Sequence, residues 1–145
     1  MNASDYMKLA MEEALKSTEE VPVGAVVVNC DTIISQAHNL TSYKVDPTAH
    51  AEILAIREAC TKLRSIILNN CDIYVTLEPC AMCAQAISFA RIRRIYFGAY
   101  NARLGGIENG ARIFKHCYHV PEVYGGFFEE ENSKILKTFF QKIRK

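Results

Sequence analysis

The sequence predicts an α/β protein, a three-layer α/β/α sandwich around a five-stranded mixed sheet. Short apolar runs rich in β-branched and aromatic residues alternate along the chain with segments of helical periodicity. This order is typical of a sheet with helices on both faces. The 145 residues, 50 % of them hydrophobic, can form one core. Because no linker or repeat interrupts the pattern, we expect a single domain over residues 1–145.

The first half of the chain predicts a helix, a hairpin and a second helix. An amphipathic helix should begin near residues 4–5. Its apolar stripe consists of Met7, Ala10, Met11, Ala14 and Leu15. Residues 23–30 and 33–39 are apolar, β-branched strands separated by a short turn. Thr48 is the predicted N-cap of a helix that ends near Leu63. The inner face of this helix should carry Ile53, Ile56, Cys60 and Leu63.

The second half predicts three more strands and two more helices. The strands are residues 71–76, 93–100 and 120–124. The helix after the first of these strands ends near Ala90, and a glycine-rich loop occupies residues 101–110. A final helix spans residues 129–145, with acids at its start and bases at its end. The predicted order of elements is α-β-β-α-β-α-β-(α)-β-α.

One imidazole and two thiols form a candidate metal site. Cys80 and Cys83 lie three residues apart behind Pro79, which suits the first turn of a helix, so both sulfurs should face the same way. Zinc accepts mixed sulfur and nitrogen ligands, and His50 would be the third ligand. Three protein ligands leave a fourth position for water, as in catalytic zinc sites. A structural zinc site and a redox pair of thiols are the alternative interpretations.

Glu52 has the position of a proton carrier rather than of a ligand. In the first turn of a helix, residues two apart point to different sides, so Glu52 should not reach the ion that His50 binds. It can instead lie over the bound water, whose pKa zinc lowers to about 7. A carboxylate in this place takes up the proton of the water and delivers it again, which is general acid–base catalysis.

The order His-x-Glu followed by Pro-Cys-x-x-Cys resembles the signature of the zinc-dependent nucleobase deaminases. Further segments narrow the resemblance to the bacterial tRNA-specific adenosine deaminases: PVGAVVV at 22–28, HN at 38–39, DPTAHAEILAIR at 46–57, YVTLEPCAMCAQAI at 74–87 and FF at 139–140. The resemblance implies a cytidine deaminase-like fold, one zinc ion per chain and a homodimer. It also implies hydrolytic deamination of adenosine to inosine at the wobble position of a tRNA anticodon loop, by a zinc-bound hydroxide with Glu52 as proton shuttle.

The same resemblance assigns substrate contacts to four residues. Asn39 would recognise the edge of the purine, although asparagine beside a loop also suits turn geometry. Asn101 stands where these enzymes usually carry an aspartate near the sugar and phosphate of the substrate. Phe139 or Phe140 would flank the flipped base. The other phenylalanine should lie in the core, because adjacent helical residues cannot face the same way.

Charge is distributed unevenly, although the net charge is only +1. Residues 1–20 carry five acids and two lysines, whereas residues 133–145 carry five basic residues and no acid. The basic segment is either a patch that faces RNA phosphates or a solvated helix end.

The sequence predicts a cytoplasmic protein. It has neither the pattern of a signal peptide nor an apolar run of about 18 residues. In that compartment the cysteines outside the motif should be reduced and pack as small hydrophobic residues. They are Cys30, Cys60, Cys71 and Cys117.

Three functions agree with these motifs. The first is deamination of adenosine in a tRNA anticodon stem-loop. The second is deamination of a free nucleobase, guanine or cytosine, by the same zinc chemistry in a closed pocket. The third is a zinc-stabilised RNA-binding module without catalysis. Glu52 argues against the third, because a structural role alone does not require it.

Overall fold

The computed structural model describes residues 1–17 and 19–143, and in it a five-stranded mixed sheet lies between helices on both faces. The helices are α1 (Ala3–Ala14), α2 (Ala51–Leu63), α3 (Ala81–Phe89) and α4 (Glu129–Ile143). The strands are β1 (Gly24–Asn29), β2 (Thr32–His38), β3 (Cys71–Leu77), β4 (Arg94–Ala99) and β5 (Glu122–Tyr124). A short 3-10 helix, Ile113–His116, stands where the bracketed helix was predicted. The predicted fold class and order of elements are confirmed.

The strands lie in the order β2-β1-β3-β4-β5. β1 pairs antiparallel with β2 and β3, whereas β3, β4 and β5 run parallel. Side chains alternate along β1 between two cores: Val27 belongs to the core under α2 and α3, and Val26 to the core under α1. None of the helices in the described part of the chain is long and apolar enough to cross a membrane.

One edge of the sheet gathers the ends of several elements. The carboxyl ends of the parallel strands β3 and β4 meet there, and α3 begins directly after β3. The start of β1 lies beside the end of β3, because the N–H of Gly24 donates to Thr76 Oγ1 at 3.1 Å. Asn39, which follows β2, contacts the N-terminus of α2 at the same edge. In open α/β sheets, ligands bind at such an edge.

The apolar stripe of α1 is shorter than predicted. Asn2 caps this helix through a capping box with Asp5, and the helix ends at Ala14. Leu15 therefore lies beyond the helix and 64 % of its surface is exposed. The apolar residues of α1 that are fully buried are Tyr6, Met7, Ala10 and Ala14.

The N-terminus and the inner face of α2 also differ from the prediction. His50 occupies the N-cap position, while the Thr48 hydroxyl donates to Asp46 in the preceding loop. The residues that α2 buries against the sheet are small, which lets the helix approach closely. They are Ala51, Ala55 and Ala59. The predicted inner residues are only half-buried, on the flank of this stripe: Ile53, Ile56, Cys60 and Leu63.

Three of the four cysteines outside the motif are at least half-buried, and one is not. Cys71 is buried, Cys60 and Cys117 are half-buried, and Cys30 is exposed. The prediction that Cys30 packs as a hydrophobic residue is wrong for a geometric reason. Cys30 and Asp31 form the two-residue turn of the β1–β2 hairpin, with φ of 47° and 66°, and this turn projects beyond the sheet.

Candidate active site

Three candidate ligands meet at the sheet edge where α2 and α3 begin. His50 and Cys80 are the N-cap residues of these helices, and Cys83 lies in the first turn of α3. His50 Nδ1 lies 3.4 Å from Cys83 Sγ and 3.7 Å from Cys80 Sγ. Zinc bonds of about 2.1 Å to nitrogen and about 2.3 Å to sulfur place such atoms about 3.6 Å apart in a tetrahedron. The donor set and its spacing therefore fit zinc. Within residues 1–17 and 19–143, this is the one cluster of three such side chains.

The two thiols differ in acidity. A hydrogen bond with Cys83 is the main cause that lowers the pKa of Cys80 to about 4; burial opposes it and His50 adds to it. The hydrogen bond to Cys80, together with burial, raises the pKa of Cys83. Two adjacent thiolates repel each other, so a cation is needed to deprotonate the pair. The electrostatics of the cluster thus favour a metal ion.

Glu52 lies beside the ligand cluster without belonging to it. It occupies the first turn of α2, and only 4 % of its surface is exposed. It lines the same cavity as His50 and Cys80. Burial is the main cause that raises the pKa of Glu52 to about 7. The structure therefore brings together the four residues that the motifs indicated, and their roles in catalysis stay predictions.

The cluster opens onto a cavity of about 270 Å³. An outer cavity of about 560 Å³ adjoins it and extends to α4. Four residues line both cavities and form the boundary that the two share: Val21, Leu77, Asn101 and Leu104. This boundary is largely apolar, which suits the faces of an aromatic ring, and most of the polar side chains line the inner cavity.

The two phenylalanines of α4 have different surroundings. Phe140 lines the outer cavity and 40 % of its surface is exposed. Phe139 is half-buried and does not line that cavity. Their rings meet edge-on, with centroids 5.4 Å apart. Phe140 is therefore the one of the two that faces the outer cavity, and its contact with a base stays a prediction.

Asn39 connects three parts of the site. Its Nδ2 donates to the carbonyl of Val21 at 2.9 Å, and its Oδ1 accepts the N–H of Ala51 at 2.8 Å. The second bond satisfies the first N–H of α2, a group that has no partner within the helix. Asn39 thus fixes the start of the helix that carries Glu52, and it also lines the inner cavity. Its contact with the purine stays a prediction.

Asn101 has a local role in addition to its position on the cavity. Its Oδ1 accepts the N–H of Leu104 at 3.0 Å, which closes the turn after β4. This contact is the turn role of asparagine, and an aspartate could make it equally well. The contact of Asn101 with the sugar and phosphate of a substrate stays a prediction.

Glu78, to which no motif assigned a role, is buried in the wall of the inner cavity. The sequence offers one indication of a role: a charged residue stands between an apolar strand and a proline, at the sheet edge that carries the ligands. The donors that surround it come from a loop more than 20 residues later, so no local pattern could reveal them.

Residues 1–99 match the family described as the cytidine and deoxycytidylate deaminase zinc-binding region. The match includes both helices that carry the ligand cluster. The fold and the site therefore define a zinc-binding deaminase domain.

The chain is also similar over nearly its whole length to proteins named tRNA-specific adenosine deaminase. The protein from Agrobacterium fabrum is 49 % identical over 96 % of this chain and 94 % of its own. The protein from Rickettsia bellii is 48 % identical over 92 % of this chain and 99 % of its own. A structure from a study of A-to-I editing by tRNA:A34 deaminases has a TM-score of 0.89 at 49 % identity, covering 92 % and 99 %. The chain belongs to the tRNA-specific adenosine deaminases within the cytidine and deoxycytidylate deaminase family.

A structure of guanine deaminase from Bacillus subtilis is similar over a smaller part of the chain. Its TM-score is 0.67 at 38 % identity, and the match covers 69 % of this chain and 66 % of that one. The fold thus also occurs in a relative named for a free base.

Proposed function

We propose that this chain catalyses the hydrolytic deamination of adenosine to inosine at the wobble position of a tRNA anticodon loop. The observation that carries the proposal is the arrangement at the sheet edge. A three-ligand cluster, a buried carboxyl and two adjoining cavities lie together there. Similarity to tRNA-specific adenosine deaminases over nearly the whole chain supports the same substrate.

His50, Cys80 and Cys83 would hold one zinc ion per chain. Zinc, when bound, lowers the pKa of a coordinated water to about 7 and supplies a nucleophile at neutral pH. Glu52 accepts the proton that the water gives up and delivers it to the exocyclic amine of the base. The amine leaves as ammonia and the oxygen of the water stays on C6, so adenosine and water become inosine and ammonia.

The outer cavity would receive the flipped base from a single-stranded loop. Phe140 can stack on that base, and Asn39 and Asn101 line its route to the cluster. Basic side chains on the same helix can contact the phosphates of the stem-loop. Those in the described part of α4 are Lys134, Lys137 and Lys142, while Arg144 and Lys145 lie outside the described residues.

Deamination of free guanine is the second candidate, favoured by the similarity to the Bacillus subtilis guanine deaminase. A free-base enzyme needs one closed pocket, whereas the inner cavity here adjoins a second, outer cavity. The second cavity favours a substrate that extends beyond a single base.

The experiment that tests the proposal is inosine formation in a defined anticodon stem-loop. Free guanine, cytosine and adenine serve as parallel substrates with the same zinc-loaded enzyme. We expect inosine at the wobble position and no turnover of the free bases. Deamination of free guanine without any reaction of the stem-loop would favour the second candidate.

We further propose a homodimer that acts in the cytoplasm, where tRNA is modified, with one domain in each chain. Large apolar side chains on the surface support self-association. Three of them are Phe89, the last residue of α3, and Ile66 and Tyr118 in loops, which are 73 %, 80 % and 92 % exposed. The mass of the protein in solution, measured by light scattering, tests this proposal.

A further inference from the structure

The carboxylate of Glu78 accepts five hydrogen bonds from one loop. Its Oε2 accepts the backbone N–H groups of Ile107, Glu108 and Asn109 at 3.2, 2.8 and 3.0 Å. Its Oε1 accepts the N–H of Asn101 at 3.1 Å and Asn109 Nδ2 at 2.7 Å. All five donors belong to residues 101–110, which we call the rim loop.

The charge of Glu78 is balanced by these N–H groups. Only 1 % of the residue is exposed, and within the described part of the chain no lysine, arginine or histidine forms an ion pair with it. Backbone N–H groups that converge on one point form a concave anion site. In this protein the anion is a side chain of the same chain. Because a carboxylate can only accept, all five donors are satisfied together.

The rim loop is attached to the segment that carries Cys80. The N–H of Gly106 donates to the carbonyl of Pro79 at 2.8 Å, and Cys80 forms an isolated bridge with Gly105. A side chain at position 105 would meet the Glu78 carboxylate at 2.7 Å, so the loop lies directly on that carboxylate. The rim loop also supplies Asn101 and Leu104 to the boundary that the two cavities share.

We infer that Glu78 is a positioning residue for substrate binding: its carboxylate folds the rim loop against the segment that carries the ligands and so fixes the wall of the cavities in which the base is bound. The kinetic part of this inference rests on the proposed function. Glu78 itself makes no step of the reaction, and its absence should leave the ligand cluster intact.

The first test is Glu78→Gln, which keeps the size of the side chain and puts an amide NH₂ where two or three N–H groups now donate. Loss of such bonds by a buried group disfavours the ordered conformation of the loop by a factor of about 10 to 100 in its equilibrium constant. We expect KM for the stem-loop to rise by about that factor, while kcat changes by less than about threefold and zinc content stays the same. Glu122→Gln, the same change on an exposed edge strand, is the matched control.

A second pair of variants tests the donor–acceptor direction of the hydrogen bond between Asn109 Nδ2 and Glu78 Oε1. In Asn109→Asp alone, two carboxylates would face each other, and KM should rise as it does in Glu78→Gln. In the double variant Glu78→Gln/Asn109→Asp, the new amide can donate to the new carboxylate across the present 2.7 Å contact. We expect the double variant to recover part of the lost affinity, which a general loss of stability would not produce.

Limited proteolysis tests the inference without a measurement of enzymatic activity. Arg103 is exposed within the rim loop, and α2 carries an exposed Arg57 as an internal reference. Trypsin should cut Glu78→Gln after Arg103 about 10 to 100 times faster than the parent protein, with unchanged cutting after Arg57. If the parent deaminates no stem-loop, the proposed function fails, and this readout still decides the role of Glu78. Should Glu78→Gln misfold, Asn109→Ala removes a single donor and is expected to act in the same direction.

Two results would overturn the inference. One is a Glu78→Gln protein that is folded and has unchanged KM and unchanged cutting after Arg103. The other is loss of zinc in that variant, which would mean that Glu78 supports the ligand cluster rather than the rim loop.

Discussion

The ligand cluster and the rim loop lie on the same cavity but are built in different ways. The cluster stands at the starts of two helices whose following residues are packed in the core. The rim loop adds Ile107 to the core, but five of its N–H groups depend on the one carboxylate of Glu78. Leu104 at its tip is 68 % exposed.

This difference separates chemistry from recognition. Ligands on packed helices keep their spacing because many contacts fix the backbone beneath them. A loop held mainly by polar contacts to one side chain can adapt to a large substrate, and single substitutions should change it more readily. Changes in the cluster should therefore remove metal and turnover together, whereas changes in the rim should alter affinity and leave the metal bound.

The largest effect is expected from Cys83→Ser. Even an outer partner of a metal ligand is worth about 10- to 100-fold in affinity, so loss of a sulfur ligand should exceed that factor and abolish turnover. Mass spectrometry after dialysis measures the zinc content, and inosine formation measures turnover. Cys30→Ser is the matched control, because Cys30 is exposed at the far end of the β1–β2 hairpin. This variant should retain its zinc and its turnover. Zinc retained in Cys83→Ser would remove this residue from the cluster.

A smaller effect is expected from Phe140→Ala. A stacked aromatic side chain contributes about 1–3 kcal/mol per base, so the Kd for the stem-loop should rise by about 5- to 150-fold. Phe139→Ala is the comparison: it removes a half-buried ring and should lower the midpoint of thermal unfolding more than the affinity. Equal affinities of Phe140→Ala and the parent protein would exclude Phe140 as the ring that stacks on the base.

The contribution of the α4 lysines to RNA affinity should depend on the salt concentration. Each lysine that contacts a phosphate of a single strand contributes about 0.7 to the slope of log K against log salt. Lys134→Gln with Lys137→Gln should therefore flatten that slope by up to about 1.4 and leave zinc content unchanged. Lys8→Gln with Lys62→Gln removes the same charge from other helices and should keep the slope. An unchanged slope in the first pair would make the basic end of α4 a solvated helix end.

The smallest effect is expected at Asn101. Asn101→Ala removes the acceptor for the Leu104 N–H and should destabilise the turn by about 0.5–2 kcal/mol, as loss of a helix cap does. Asn101→Asp keeps an acceptor and should leave thermal unfolding almost unchanged. If both variants unfold like the parent protein, the turn does not depend on this side chain.

The sequence could predict the ligand cluster because its geometry is set over short distances. Cys80 and Cys83 share one helical turn, and His50 and Glu52 share another. Only the approach of these two helical turns to each other depends on the tertiary fold. The strand that precedes α3 made this approach predictable, because it leads α3 to the edge of the sheet. The five strands were predictable for a similar reason, since apolar, β-branched runs mark them individually.

The rim could not be predicted in the same way, because its contacts join distant parts of the chain. Glu78 meets donors from residues 101–110, and Asn39 meets the first residue of α2. The orientation of Phe140 depends on how α4 packs on β4, which periodicity alone left open. The alanines of α2 were overlooked because small residues give a weak apolar signal even when they are the ones that touch the sheet.

The most direct test of the separation between metal binding and chemistry is a paired measurement on Glu52→Gln. This variant keeps the shape of a buried side chain that lies beside the cluster but outside it. We expect the zinc content of the parent protein together with a fall in kcat of at least about 10²- to 10⁴-fold, the usual contribution of general acid–base catalysis. Loss of zinc with the carboxyl, or turnover close to that of the parent protein, would contradict the account.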